Sequence, residues 1–196
     1  MKQLTLVAVS ISLLFASIIG YAQSQNLPDR SVYHLDSQWQ DQTGTRFDIA
    51  DLQGRVRIVA FVYTYCEHTC PTIVAKIKSV VAELPKDVQS EVVVTLVTLD
   101  PERDTVERVR SYLESQGLVE SGWQVLVGAP DDVLSLAALF DVRYKPMGES
   151  DIAHSNVITL VGRNGEIRSL LRGLGQNTDD FAAQTIKAAQ TSELSQ

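Results

Sequence analysis

The stretch "FVYTYCEHTCPTIVAKIKSVV", residues 61–81, decides the fold and carries the chain's only two cysteines, Cys66 and Cys70. It begins inside "RVRIVAFVYTY" (55–65), a β-rich run apolar enough for a central strand buried on both faces. From Pro71 onward Ile73, Val74, Ile77, Val80 and Val81 keep helical spacing until "LPKD" stops them. The cysteines sit on the boundary between the two patterns. A C-x-x-x-C there resembles neither a staple between distant elements nor a redox pair spaced by two residues. The pattern makes Pro71 the first helical residue, Cys70 its cap and Cys66 part of the preceding loop. Unpaired amides and the positive dipole end of that helix favour thiolate over thiol, so both sulfurs are expected to be strong nucleophiles and strong ligands. Side chains four apart can close a disulfide or converge on one small ion, and the spacing leaves both uses open.

On either side of this stretch the chain continues in the same style. "SVYHLDSQWQDQTGTRFDIADLQG" (31–54) alternates, turns at Gly44 and resumes, which predicts a hairpin. "EVVVTLVTL" (91–99) is a second buried strand. In the "DPERDT" that follows, Asp104 and Glu107 form a D-x-x-E capping signature for a helix reaching about Gln116. "WQVLVG" (123–128) is a third strand. Pro130 opens the next helix, with Asp131 and Asp132 complementing its dipole. The segment "DVRYKPMGESD" reads as a loop leading to a strand over 153–161. The turn "GRNG" (162–165), a strand over 166–171 and a helix over about 178–190 complete the chain. Repeated βα units demand a largely parallel sheet, and the late hairpin adds antiparallel strands. The expected fold class is α/β: a thioredoxin-like mixed sheet flanked by helices, with an N-terminal hairpin.

The ends carry a different signal. Lys2 precedes "LTLVAVSISLLFASIIGY", eighteen residues without a charge, and small residues stand at Gly20 and Ala22. Residues 1–22 are expected to be a secretory signal or a retained membrane anchor, 23–30 a linker, 31–190 the domain and 191–196 a tail. The domain is then exported, periplasmic and either soluble or held at the inner membrane, where a cysteine pair can oxidise. A hydrophobic content of 44%, a charged content of 21% and a net charge of -7 describe a globular chain and argue against nucleic acid, which requires a basic face.

Two thiolates with one imidazole suit Cu(I), or Zn or Cu(II) with further donors. A closed structural zinc site takes four ligands, and four do not assemble from this sequence. Of the three histidines, His34 reads as a surface or capping residue and His68, inside "CEHTC", as a solvated spacer. His154 opens the buried strand of "DIAHSNVITLVG", a strand start that faces the cysteine loop in a thioredoxin-like fold. Thioredoxins place a proline there. This chain has Ala153, His154 and Ser155, so a donor replaces it. Asp100 is expected to fix a turn with Arg103. Met147 is a soft thioether nearby, read as filler in preference to a copper contact.

In order and spacing, "FVYTYCEHTCP", "TLVTLDPERDT" and "AHSNVITLVGRNGEI" resemble the three signature blocks of the SCO/SenC copper proteins. The resemblance runs over roughly residues 30–190. It implies a thioredoxin-like, exported or membrane-anchored protein that binds one copper through two cysteines and a histidine, here Cys66, Cys70 and His154. It further implies help in delivering copper to the binuclear copper centre of cytochrome c oxidase. Two positions depart from the family pattern: Glu67 stands where proline is usual, and Ala153 where an aspartate usually precedes the histidine. Asp151 and Ser155 are the nearby substitutes for that aspartate. The main reading is a metallochaperone; the alternative is a thiol–disulfide oxidoreductase acting on a cuproprotein or other exported target. A peroxidase ranks third, because its Thr, or Gln and Trp, partners are missing from the local pattern.

Overall fold

The computed structural model describes residues 27–119, 122–148 and 151–191. The expected signal or anchor (1–22) and the tail beyond 191 lie outside the described residues, and no described helix is long and apolar enough to cross a membrane.

The expected hairpin is present as β1 (Gln38–Asp41) and β2 (Arg46–Asp48), with Gly44 at φ 89° in the turn. A short 3-10 turn, Val32–His34, precedes it and takes His34 out of the hairpin. β3 (Val56–Val62) follows and is buried at every position, as its apolar run predicts. β4 (Val92–Thr98) and β5 (Trp123–Gly128) run parallel to it, while β8 (Val157–Val161) is antiparallel to β3 and β9 (Ile167–Arg172) is antiparallel to β8. The seven strands lie in the order β2-β1-β5-β4-β3-β8-β9. β3 therefore sits between a parallel and an antiparallel neighbour. Gly165 closes the β8–β9 turn at φ 81°, and a Cβ there would lie 2.3 Å from Ser31 Oγ, so space and backbone both call for glycine.

Helices α1 (Thr69–Glu83), α3 (Val106–Ser115), α4 (Pro130–Leu139) and α5 (Asp179–Gln190) cover the sheet, with α1 and α5 touching each other and β3. In α1, Ile73, Val74, Ile77 and Val80 are buried, each contributing about 1.5–3 kcal/mol by leaving water. A one-and-a-half-turn helix, α2 (Lys86–Glu91), stands where the sequence shows only a stop. Pro85 follows the end of α1 and is itself the residue before α2.

Three local expectations are corrected. Helix α1 starts two residues early: His68 precedes it, and Cys70 lies inside the first turn instead of capping it. Pro71 still falls within that turn, where a missing N–H costs nothing. The cap of α3 is Thr105, whose Oγ1 accepts from Arg108 N–H at 3.3 Å; Asp104 is not the cap. It is fully buried instead, its carboxylate accepting from Thr64 N–H at 3.1 Å, Thr64 Oγ1 at 2.5 Å and Thr98 Oγ1 at 2.5 Å. Those three bonds outcompete a cap and tie the ends of β3 and β4 together. Finally, the strand expected over 153–161 is broken. β7 (Ile152–His154) pairs antiparallel with β6 (Tyr144–Pro146) in a separate two-stranded arm, so the predicted loop carries a strand.

Deleting the Asp104 carboxylate strands buried donors, so Asp104→Ala should lower the unfolding free energy by about 3 kcal/mol in a urea titration. Burial, only partly offset by the two threonines, raises this carboxyl above its usual value. The folded state thus holds the proton more tightly than the unfolded state. The group's contribution to stability falls as pH rises from about 4 through the raised value, and Asp104→Asn should flatten that slope. Unchanged unfolding of Asp104→Ala would remove the tie between the strand ends.

Candidate metal centre

The site grows from the exit of β3. Tyr63 follows the last strand residue, and its carbonyl accepts Cys66 N–H at 3.2 Å, turning the chain toward α1. Asp104 holds Thr64 from below. Arg108 Nε donates to Thr64 Oγ1 at 3.0 Å, and its guanidinium lies 4.0 Å from the centre of the Tyr65 ring. The loop that presents Cys66 is therefore fixed on both sides.

Cys66 is half-buried and Cys70 fully buried, and both are free thiols. The Cys70 N–H, an orphan amide of the first helical turn, donates to Cys66 Sγ at 3.3 Å. Burial pushes the Cys66 thiol up, but the hydrogen bond from the Cys70 amide, with the Cys70 thiol, the His68 amide and the Tyr63 hydroxyl close by, outweighs it. The net effect lies below the ordinary thiol value. Cys70 goes the other way: burial raises it strongly, and the neighbouring Cys66 and Asp104 charges add to the rise. The expectation of two activated thiols therefore holds for Cys66 and fails for Cys70. The helix end serves one sulfur, and the other is sealed behind it.

His154 arrives on β7, opposite Tyr144. Its Nδ1 lies 3.2 Å from the Ser155 carbonyl. A carbonyl only accepts, so Nδ1 carries the proton and Nε2 presents its lone pair. That Nε2 lies 3.7 Å from Cys70 Sγ. The ring stands edge-on to Tyr63, with centroids 6.0 Å apart and planes at 83°. Burial lowers the imidazole's value, opposed by the Ser155 carbonyl and the Asp151 charge, so the neutral, ligating form is favoured. With alanine at 153, the ring takes its orientation from a main-chain carbonyl.

A cleft of about 600 Å³ opens over this group, lined by Tyr63, Cys66, His68, Asp151, His154 and Asn156 among others. Cys70 lies behind its wall. Asn156 Oδ1 is buried there without a hydrogen-bond partner. Among the described residues, no three His, Cys, Asp or Glu side chains are already gathered as a coordination sphere. Cys70 and His154 form the assembled half, and Cys66 is held by the helix amide. The donor set, two sulfurs and a neutral imidazole, suits a soft ion.

The other sequence candidates separate cleanly. His68 is exposed at the cleft mouth. His34 Nε2 contacts the Pro28 carbonyl at 3.0 Å, apart from the cysteines. Met147 is 56% exposed and does not line the cleft. Asp100 pairs with Arg103 at 2.5 Å, the turn-fixing role expected of it. Tyr63 is the cleft-lining side chain that sequence reasoning misses. It reads only as the end of a buried strand, and nothing local in the sequence says where its hydroxyl goes.

The asymmetry of the pair predicts the order of modification. With iodoacetamide on the folded, reduced protein, Cys66 should alkylate at least tenfold faster than Cys70, and its rate should rise at a pH below the ordinary thiol value near 8.5. Peptide mapping checks this; equal rates would contradict the buried placement of Cys70.

Three known proteins share this arrangement of elements or sequence. A Stutzerimonas stutzeri protein named for copper binding is 28% identical over 136 residues, covering 67% of this chain and 65% of that one. The copper-bound structure of ScoI from Bradyrhizobium japonicum superposes with a TM-score of 0.64 at 28% identity, covering 78% of this chain and 96% of that one. BsSco is described as having a disulfide switch and as a member of the Sco family of cytochrome c oxidase assembly proteins. It superposes with a TM-score of 0.66 at 23% identity, covering 85% of this chain and 99% of that one. The family model described as SCO1/SenC matches residues 29–190, and the chain belongs to the SCO1/SenC family.

Proposed function

We propose that this chain is an exported copper-binding assembly factor that delivers copper to the binuclear copper centre of cytochrome c oxidase. Cys66, Cys70 and His154 would be the ligands, with one ion per chain as cargo. The observation that carries the reading is the 3.7 Å approach of His154 Nε2, lone pair outward, to the buried Cys70 sulfur. The copper-binding relatives support the choice of ion. The N-terminal segment "LTLVAVSISLLFASIIGY" supports export, to the periplasm or the outer face of the inner membrane.

The residues have distinct roles. Cys66, at the cleft wall, is the sulfur through which copper enters and leaves. Cys70, behind that wall, and the neutral His154 ring, which lines the cleft, hold their donors as a pre-oriented pair. Thiolates are strong donors for Cu(I) and a disulfide is a very weak one, so oxidation of the pair and metal loading exclude each other.

The second reading, a thiol–disulfide oxidoreductase, has its own support. A lowered, accessible Cys66 beside a raised, sealed Cys70 is the division between attacking and resolving thiols. Insulin reduction separates the two: turnover comparable to a thioredoxin would favour the second.

Reduced protein should bind one copper tightly and oxidised protein none. Cys66→Ser and Cys70→Ser should each abolish stable Cu(I) binding, while His154→Ala should weaken it and leave the fold intact. Binding needs a neutral ring, so affinity should be lower at pH 5 than at pH 7.5. Because burial lowers the His154 value, the loss should set in below the ordinary imidazole range near 6.5. A deletion strain should show low oxidase activity, partly restored by added copper. Equal copper uptake by oxidised and reduced protein would contradict the site.

A further inference from the structure

His154 does not belong to the seven-stranded sheet. Its arm, β6 with β7, is a separate two-stranded unit, and the main sheet resumes only at Val157. Something must therefore fix the distance between this arm and the cysteine loop, because the two halves of the site come from chain segments more than eighty residues apart.

One side chain reaches both halves. Tyr63 is buried at 3% exposure, three residues before Cys66. Its carbonyl holds the Cys66 N–H, its ring packs edge-on against the His154 imidazole, and its hydroxyl donates to Asp151 Oδ1. Asp151 immediately precedes β7, and the same Oδ1 accepts Ile152 N–H at 2.9 Å, so the carboxylate is bound to the strand that carries His154. At the far side of that strand, Ser155 N–H donates to the Arg143 carbonyl at 2.8 Å, which keeps β7 on β6 but makes no bond to the cysteine loop. Among the described residues, arm and loop are thus joined by the Tyr63–Asp151 bond, beside the Cys70–His154 contact itself.

We propose that Tyr63 and Asp151 form a clamp that positions His154 against the cysteine pair, and that the clamp sets how much the imidazole contributes to metal affinity. This rests on the copper-site reading given above. Neither residue needs to touch the ion. Asp151 lies outside the cysteine and histidine donor set and acts through the strand it begins. The carboxylate stands two residues upstream of Ala153 and faces a tyrosine hydroxyl. Backbone carbonyl and carboxylate have separate parts in this. Ser155 sets the tautomer and tilt of the ring, and Asp151 sets where the strand stands.

Copper binding by the full chain, reduced, with Cu(I) or Cu(II) as the probe, tests the clamp in four forms: parent, Tyr63→Phe, Asp151→Ala and Asp151→Asn. Tyr63→Phe keeps the ring and the carbonyl and loses only the hydroxyl. Asp151 is exposed, so Asp151→Ala leaves the core untouched. Asp151→Asn keeps an oxygen that accepts from Tyr63. Loss of this one hydrogen bond should weaken Cu(I) binding about tenfold in Tyr63→Phe and in Asp151→Ala, with no further loss when the two are combined. Asp151→Asn should stay near the parent. The imidazole nitrogen coupling in the Cu(II) spectrum should weaken in the first two variants and persist in Asp151→Asn, which a general loss of stability would not produce. Independently of metal, amide exchange at Ile152, whose N–H donates to the clamped Asp151 carboxylate, should quicken about tenfold in Tyr63→Phe of the apo protein. Should parent and variants alike ignore copper, the function proposed above falls, and apo exchange alone decides the clamp. Parent-like exchange and affinity in Tyr63→Phe, or equal losses in Asp151→Asn and Asp151→Ala, would overturn it.

Discussion

The cysteine half of the site hangs from β3, a strand with no exposed residue and hydrogen-bonded neighbours on both edges. Such a strand cannot slide without moving its whole apolar set out of register with β4 and β8. Its end is therefore a fixed point. The chain leaves that point through Tyr63 and Thr64, turns on the Tyr63 carbonyl and enters α1 at Thr69. Asp104 anchors the same exit to the end of β4. Two cysteines placed in so short a path inherit the rigidity of the sheet beneath them.

That rigidity explains the inequality of the sulfurs. A helix N-terminus offers amides at a fixed position, and here the Cys70 amide points at Cys66. Cys70 itself is turned inward, where desolvation and two neighbouring negative charges outweigh the helix end. The arrangement separates access from retention. One sulfur meets the cleft, while the other lies behind its wall against a neutral imidazole. Copper binding lowers the thiol value of whichever sulfur it meets, so the ion itself can supply the stabilisation that Cys70 lacks as a free thiolate.

The sequence was most legible where long periodic segments left one choice. The unbroken apolar run of β3, the Ile73–Val80 stripe of α1 and Pro130 at the head of α4 each carry an element on their own. Together they fix the thioredoxin-like order, and the three signature blocks bring Cys66, Cys70 and His154 to one place. Legibility ended where a side chain had to choose between a local and a distant partner. Asp104 has the spacing of a cap for α3, yet Thr64 and Thr98 take its carboxylate, and Thr105 caps instead. Tyr144–Pro146 is too short and too polar to announce a strand, and it forms one only because β7 lies alongside. The Tyr63–Asp151 bond spans eighty-eight residues, a distance over which no periodicity speaks.

The central claim is that a soft ion takes its donors from both the cysteine loop and the arm. Copper K-edge absorption on the reduced, Cu(I)-loaded chain tests it most directly. The account predicts two sulfur neighbours and one imidazole nitrogen per copper, with the nitrogen lost in His154→Ala. A first shell of sulfur alone in the parent, or a nitrogen that survives in His154→Ala, would contradict it.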